Sequence, residues 1–199
     1  MTTRLVIIGI ILILTVLIAV VLTVLTIRKP QTSIQSIGLV KVPTSAAKII
    51  ISSTFSNDSR IPTMYTCNGV NISIPLELSN IPSGAKSLVV IMEDLNAPGG
   101  IFIHWVLYDI PTNVTQIPAG IPNTFYVNGI GYQGINDFGK VGYGGPCPPP
   151  GPAHEYVIIV LALNKTIEPA PNLNDEYLIK SIDVKDVVGY GVLIGYYGG

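Results

Sequence analysis

The sequence predicts an all-β fold, an antiparallel β-sandwich with one short C-terminal helix, preceded by a single N-terminal transmembrane helix. Two patterns lead to this prediction. An uncharged apolar run lies near the start of the chain, and short β-prone runs bounded by Pro, Gly and Asn fill most of the remainder. Only one later segment carries helix signals. Many short strands with almost no helix indicate a sandwich or barrel rather than a βαβ fold.

The N-terminal run extends from Leu5 to Ile27 without a charge or a proline. It is long enough to cross a hydrocarbon core of about 30 Å as a helix. A cleaved signal peptide is the alternative, but its apolar core would be shorter and would end in small residues at a cleavage site. Residues 22–27 show no such pattern. We therefore expect residues 1–29 to remain as a transmembrane anchor in contact with membrane lipid.

Basic residues flank this run on both sides, so the positive-inside rule does not orient it. The remainder is poor in charge and contains four N-glycosylation sequons. These candidate sites begin at Asn57, Asn71, Asn113 and Asn164. We expect an extracytoplasmic domain on a single-pass protein of the cell membrane. The formal net charge of −1 and the lack of a basic stripe argue against nucleic acid as a partner.

After the anchor, residues 30–46 are small and polar and include Pro43, which predicts a flexible linker to a domain over residues 47–199. Strands are predicted, in chain order, over residues 49–55, 87–92, 101–110, 156–163 and 187–197. The helix is predicted over Asp175–Ile182, because Asn174 can cap it and acidic residues occupy its first turn.

The two cysteines, Cys67 and Cys147, lie in loop-like segments and belong to no C-x-x-C pair. Neither a zinc site nor a thioredoxin-like motif is therefore indicated. Two unrelated buried thiols are one interpretation. In an oxidising compartment, however, such cysteines more often pair, and we expect a Cys67–Cys147 disulfide.

The chain has two histidines, and each borders an apolar strand. Asp94 ends the strand before His104, and His154 begins a later one. Each histidine alone is explained by a structural hydrogen bond, but imidazoles and a carboxylate at strand ends can also converge on one pocket. The glycine- and proline-rich segment 142–152 lies between strands, where free amides would suit an anion. A two-His-one-carboxylate metal site and a metal-dependent hydrolase form the alternative interpretation.

Several motifs in order resemble those of the phosphatidylethanolamine-binding protein (PEBP) family, and specifically its prokaryotic Raf-kinase-inhibitor-like branch. The matching segments are Tyr65–Leu76 (Y-T-C-x-G-x-N-x-S-P-P-L), Met92–Pro98 (D-P-D-A-P), Ile103–Pro111 (H-W-V-x-x-x-I-P), Asn136–Gly139 (N-D-F-G), Gly142–Pro149 (G-Y-x-G-P-C-P-P) and His154–Tyr156 (H-R-Y). The similarity extends from about residue 48 to the end of the chain.

This resemblance implies a PEBP-like β-sandwich with a small anion pocket. By position, the implied ligand-binding residues are Asp94, His104, Gly145, Pro146, His154 and Tyr156. Family members bind phosphate-bearing or carboxylate ligands there, and some inhibit kinases or serine proteases. Three positions depart from the motifs: Leu95, Asn96 and Glu155 replace a proline, an acid and an arginine. The last two can be explained as an acid–arginine pair that was lost as a unit.

The sequence and the resemblance together predict a non-enzymatic, membrane-anchored module that holds a small anionic ligand and inhibits a serine protease. It is expected to need neither a cofactor nor a metal. The alternative is an accessory subunit of a membrane protein assembly, in which the helix contacts other membrane proteins and the pocket is vestigial.

Overall fold

The computed structural model describes Ile13, Thr15 and residues 33–171 and 173–199. Most of the predicted membrane anchor, Leu5–Ile27, lies outside these residues. Within the described residues, no helix has both the length and the apolar character needed to cross a membrane. The β-rich unit begins at Ile34 and extends to Gly199.

The largest sheet has eight strands in the described part of the chain: β3 (Ala47–Lys48), β5 (Ser59–Arg60), β7 (Ser87–Asp94), β8 (Phe102–Ile110), β10 (Tyr126–Val127), β11 (Gly131–Gln133), β12 (His154–Leu163) and β13 (Val187–Tyr197). Their order is β10-β11-β8-β7-β12-β13-β3, and β5 also pairs with β13. Among the four long strands β8, β7, β12 and β13, each neighbouring pair is antiparallel. The predicted all-β class with one helix is thus confirmed for the domain.

Strand β12 shows why this sheet is buried on both faces. Alternate residues of a strand point to opposite faces, and β12 is apolar at nearly every position. Tyr156, Ile158 and Val160 contribute to one core, whereas Val157 and Ile159 contribute to a second core on the opposite face.

A three-stranded sheet covers the first face and completes the sandwich. It is formed by β4 (Ile50–Ser52), β6 (Leu76–Ser79) and β9 (Gln116–Ile117) in the order β4-β6-β9. Leu76, Leu78 and Ile117 pack into the same core as Ile158. The core between the sheets is therefore assembled from alternating apolar residues of both layers.

A β-hairpin begins the domain, which corrects the expectation of a flexible linker over residues 30–46. Strands β1 (Ile34–Ile37) and β2 (Val40–Pro43) pair in antiparallel register. Val40 and Val42 are buried against the second face of the large sheet. At the turn, the amide of Leu39 donates to the Glu93 carboxylate at 3.1 Å from Oε2. Burial of two valines explains why this polar-looking segment is ordered.

The predicted helix is confirmed as α1 (Asp175–Ser181). The Asn174 side chain accepts hydrogen bonds from the amides of Glu176 and Tyr177, which satisfies donors that the first turn leaves unpaired. Leu178 and Ile179 pack into the second core. Two 3₁₀ turns, Thr63–Tyr65 and Val184–Asp186, complete the described elements.

Candidate functional site

The polar residues of the site are gathered by the pairing of three neighbouring strands. Asp94 is the last residue of β7 and pairs with Tyr156, near the start of β12. Strand β8, which also pairs with β7, carries His104 near its beginning. Because the strands are antiparallel, the end of β7 and the starts of its two neighbours lie at the same edge of the sheet. The predicted convergence therefore follows from strand register.

The side chains of Asp94 and His154 form the central contact of the site. His154 Nδ1 lies 2.8 Å from Asp94 Oδ2, and both residues are buried. The second oxygen, Oδ1, accepts the amide of Asn96 at 2.8 Å. The carboxylate can only accept, so it holds the Nδ1 proton and leaves Nε2 of the imidazole for other partners.

His104 is held by a different partner and has a different character. Its Nδ1 donates to the Gly144 carbonyl oxygen at 2.6 Å, which assigns the tautomer because a carbonyl can only accept. Burial lowers the pKa of His104, and the Gly144 hydrogen bond opposes that effect only in part. The imidazole is consequently neutral near pH 7, with an acceptor at Nε2. Its ring packs edge-on against those of Phe138 and Tyr156, at 5.2 Å in both cases.

The Tyr156 hydroxyl is buried close to the Asp94 side chain and the Cys147 backbone, although no hydrogen bond of ordinary geometry joins it to a described residue. Burial is the main cause that raises its pKa, and the Asp94 carboxylate raises it further, whereas the Cys147 backbone lowers it. The phenol is therefore protonated at any physiological pH. The hydroxyl thus lies beside Asp94, outside the set of described residues that line the cavity with the two histidines.

The Gly145–Pro146 segment is not an open anion seat; it leads directly into the wall of the site, which begins at Cys147. The Gly145 amide donates to Asn71 Oδ1 at 2.8 Å, and the Pro146 carbonyl accepts the Cys67 amide at 3.1 Å. A Cβ at position 145 would lie 2.3 Å from the Tyr65 carbonyl oxygen, so this close approach requires glycine. The expectation of free amides is corrected at Gly145, whose amide is already bound.

The predicted disulfide is present and connects this wall to the preceding loop. Cys67 and Cys147 are bonded, with their Cα atoms 5.4 Å apart. Both residues are exposed to solvent. Cys147 follows Pro146 directly, so the bond adds a covalent contact to the hydrogen bonds that hold the segment.

Asp94, His104 and His154 line one cavity of about 160 Å³. Phe102, Phe138 and residues 147–149 form its remaining walls with Ala97 and Pro98. Gly145 lies in the wall of a neighbouring pocket of about 210 Å³, and Tyr156 packs behind His104. No Lys or Arg is among the described residues that line the cavity. Sequence reasoning missed the two aromatic walls, although Phe138 lies inside the quoted N-D-F-G motif.

Two further observations delimit the site. A larger groove of about 510 Å³ follows the three-stranded sheet beside Ser53 and Pro75, but among the described residues Glu77 is the one ionisable residue that lines it. In residues 33–171 and 173–199, no three His, Cys, Asp or Glu side chains are arranged to hold a metal ion. Polar donors and acceptors of more than one kind converge instead in the smaller cavity.

The sequence is similar to one protein-family model and to several prokaryotic proteins. The family model described as phosphatidylethanolamine-binding protein matches residues 51–197. A UPF0098 protein of Pyrococcus horikoshii is 43% identical over 150 residues, which cover 74% of this chain and 75% of that one. A UPF0098 protein of Aquifex aeolicus is 48% identical over 116 residues, covering 58% and 67% of the two chains.

Two solved structures share the fold. A crystal structure of a PEBP homologue from Chlamydia trachomatis superposes with a TM-score of 0.68 at 32% identity, covering 78% of this chain and 99% of that one. YbcL of Escherichia coli, described as a member of the mammalian PEBP family, gives a TM-score of 0.68 at 28% identity, covering 77% and 99%.

Proposed function

The chain belongs to the phosphatidylethanolamine-binding protein family, and from this we propose that its domain is a membrane-tethered, non-enzymatic binding module for a small phosphate- or carboxylate-type anion. The observation that carries the proposal is the oriented Asp94–His154 pair in a cavity of about 160 Å³. Drug-sized ligands occupy roughly 300 Å³ or more, so this cavity suits a small ion or the head of a larger ligand.

The chemistry of the cavity supports binding of a small anion through donors and acceptors of several kinds. Protonated His154 would donate through Nε2 while Asp94 balances its charge at Nδ1. The Tyr156 hydroxyl is a second, neutral donor beside the cavity. His104 offers an acceptor at Nε2, which suits a hydroxyl on the ligand, such as that of hydrogen phosphate or of a phosphate monoester in its monoanionic form.

Isothermal titration calorimetry of the purified domain with sulfate, hydrogen phosphate and acetate tests the proposal. Binding by at least one of these anions, with weaker binding in His154→Ala, is expected. Circular dichroism of the variant controls for folding. The absence of heat with all three anions between pH 5 and pH 8 would show that the pocket shape exists without the function.

The predicted compartment and anchor fit the exposed features of the domain. An exposed disulfide suits an oxidising compartment, and the four sequon asparagines are all exposed. N-terminal sequencing of membrane-derived protein tests the anchor, because a mature start beyond Ile27 would contradict it. Serine-protease inhibition stays a prediction from the family, and a residual-activity assay with trypsin and chymotrypsin would test it.

An accessory subunit of a membrane protein assembly is the alternative function, and the lack of Lys and Arg among the described residues that line the cavity favours it. Glu155 stands where the family motif has an arginine, and no described Lys or Arg lines the cavity. An accessory subunit with a vestigial pocket would tolerate this change. Native mass spectrometry of gently solubilised full-length protein separates the two functions, since a bound anion supports the module and a stoichiometric partner protein supports the subunit.

A further inference from the structure

Cys147 occupies a position that the anion-binding function does not use. It lines the same cavity as Asp94 and His154, and its sulfur is bonded to Cys67. Both cysteines are exposed, so a reductant in solution can approach the bond. The disulfide therefore lies between solvent and a cavity that contains an oriented imidazole.

The Asp94–His154 contact has the form of the base and its orienting group in nucleophilic sites. The carboxylate holds the proton of Nδ1 at 2.8 Å, which leaves the lone pair of Nε2 as a base. Such sites also need a nucleophile beside the base. A cysteine next to a histidine forms thiolate more readily than an isolated cysteine.

We propose that the Cys67–Cys147 disulfide masks a reactive thiol, and that its reduction converts Cys147 into a nucleophile activated by His154 in the cavity. A dithiol reductant supplies the two hydrogens, is itself oxidised to a disulfide, and leaves one thiol on each cysteine. The Cys147 proton then passes to Nε2 of His154. The resulting thiolate can attack an electrophilic carbon or the sulfur of another disulfide. The inference concerns the cavity of the proposed anion site but does not depend on anion binding.

The wall that carries Cys147 keeps other contacts after reduction. The Gly144 amide donates to the His104 carbonyl at 2.9 Å, and the Gly145 amide donates to Asn71 at 2.8 Å. The Tyr143 hydroxyl donates to the Tyr65 carbonyl at 2.7 Å. These bonds do not involve sulfur, so the segment before Cys147 stays beside the cavity when the disulfide opens.

Cys67 provides a matched control within the same molecule. It is exposed like Cys147, but it is not among the residues that line the cavity with His154. Both cysteines line the neighbouring pocket, which also contains Lys140. A general effect of Lys140 or of solvent exposure would therefore act on both thiols, whereas His154 would act on Cys147.

Site-resolved alkylation of the full-length protein tests the inference. The protein is reduced with dithiothreitol, freed of reductant in phosphate-free buffer at pH 7, and treated with limiting iodoacetamide. At Cys147 a carbon–sulfur bond forms, the carbon–iodine bond breaks and iodide leaves. Peptide mass spectrometry over time measures both cysteines. We expect Cys147 to react about tenfold faster than Cys67, as for a thiol whose pKa is lowered by about one unit.

Three variants decide the cause of this difference. His154→Ala should bring the two rates to within about twofold, and Asp94→Asn should reduce the ratio because the imidazole loses its orienting acceptor. Lys140→Ala should leave the ratio unchanged. Equal rates in the wild-type protein, or a Cys147 advantage that persists in a folded His154→Ala variant, would overturn the inference. Because iodoacetamide is neutral, a failure of this test is distinct from a failure to bind anions.

Discussion

The side-chain oxygen of Asn96 accepts the amide of Glu155 at 2.7 Å. These residues occupy the two positions at which the chain lacks the acid and the arginine of the family motifs. The contact runs through the Glu155 backbone, while the Glu155 carboxylate accepts the Tyr196 hydroxyl at 3.3 Å. An amide at position 96 therefore ties the loop after β7 to the start of β12 through the backbone, independently of the side-chain charge at position 155. The two departures are linked by geometry.

Asn96→Ala should loosen the connection between the loop after β7 and the start of β12, the two segments that carry Asp94 and His154. Loss of the hydrogen bond accepted by the side chain should lower the free energy of unfolding by about 1 kcal/mol. Anion binding should weaken as well, because the freed loop also positions the backbone amide that donates to Asp94. Urea unfolding and calorimetry measure the two effects. Asn113→Ala, at an exposed asparagine remote from the motif loops in sequence, is the control. Equal effects of the two substitutions would show that the Asn96 contact has no special role.

Sulfate affinity should depend more on His154 than on His104. Asp94 holds Nδ1 of His154 at 2.8 Å, which leaves Nε2 for a ligand. Burial lowers the pKa of His104, so its ring is neutral near pH 7 and cannot supply a positive charge. Calorimetry with sulfate at pH 7 measures the affinity of each variant. His154→Ala should weaken binding more than His104→Ala does, and the opposite order would assign the main donor to His104.

Glu93 should make the domain less stable as pH rises. Burial raises the pKa of Glu93 to about 7; the Leu39 amide lowers it in part, and nearby Asp137 adds to the increase. The folded state therefore holds a proton that the unfolded chain releases near pH 4.5. The contribution of Glu93 to the free energy of unfolding is fully present below pH 4.5. It is lost as pH rises through about 7, with a total change of roughly 3 kcal/mol.

Glu93→Gln should remove most of this decline, because a neutral amide has no proton to lose. Urea unfolding at pH 5 and pH 8 should give closer free energies in the variant than in the wild type. Some slope should persist, since burial also raises the pKa of Asp175, to about 8. Glu77→Gln, at an exposed position on β6, should keep the wild-type slope. An unchanged slope in Glu93→Gln would contradict the prediction.

Removal of the disulfide should lower stability more than it changes anion affinity. The bond closes a separation of 80 residues, for which the chain-entropy account gives about 4 kcal/mol. A Cys67→Ala/Cys147→Ala variant should lose about 2–4 kcal/mol on unfolding in urea. Its sulfate affinity should change little, because hydrogen bonds to His104 and Asn71 still hold the wall. A large loss of affinity in the folded variant would assign the wall's position to the disulfide.

The sequence predicted the elements whose signals are local. The α1 boundaries followed from Asn174 as a cap, and β13 was predicted over the residues it occupies, Val187–Tyr197. Two-residue strands such as β9 were missed, because they exist through pairing with distant strands rather than through their own composition. The hairpin was missed for a related reason, since its order depends on burial of Val40 and Val42.

The site was predictable only as far as motif positions extend. Asp94, His104 and His154 were placed together by the resemblance, and strand register explains why they meet. The contact between Gly145 and Asn71 joins residues 74 positions apart. No local pattern encodes such a contact. Because of it, the Gly145 amide is not a hydrogen-bond donor to an anion but a structural contact that holds the segment before Cys147.

The hairpin at the start of the domain has a mechanical consequence. A pulling force that enters at Ile34 first meets the terminal pair of the β1–β2 ladder, Ile34 and Pro43. Antiparallel strands that are pulled at their open end separate one pair at a time. The β1–β2 pairs would therefore open in order, from Ile34–Pro43 to Ile37–Val40. The turn of the hairpin contacts β7 through the Leu39 amide and Glu93, so tension from the N-terminal side would reach the residue next to Asp94 only after the four β1–β2 pairs had separated.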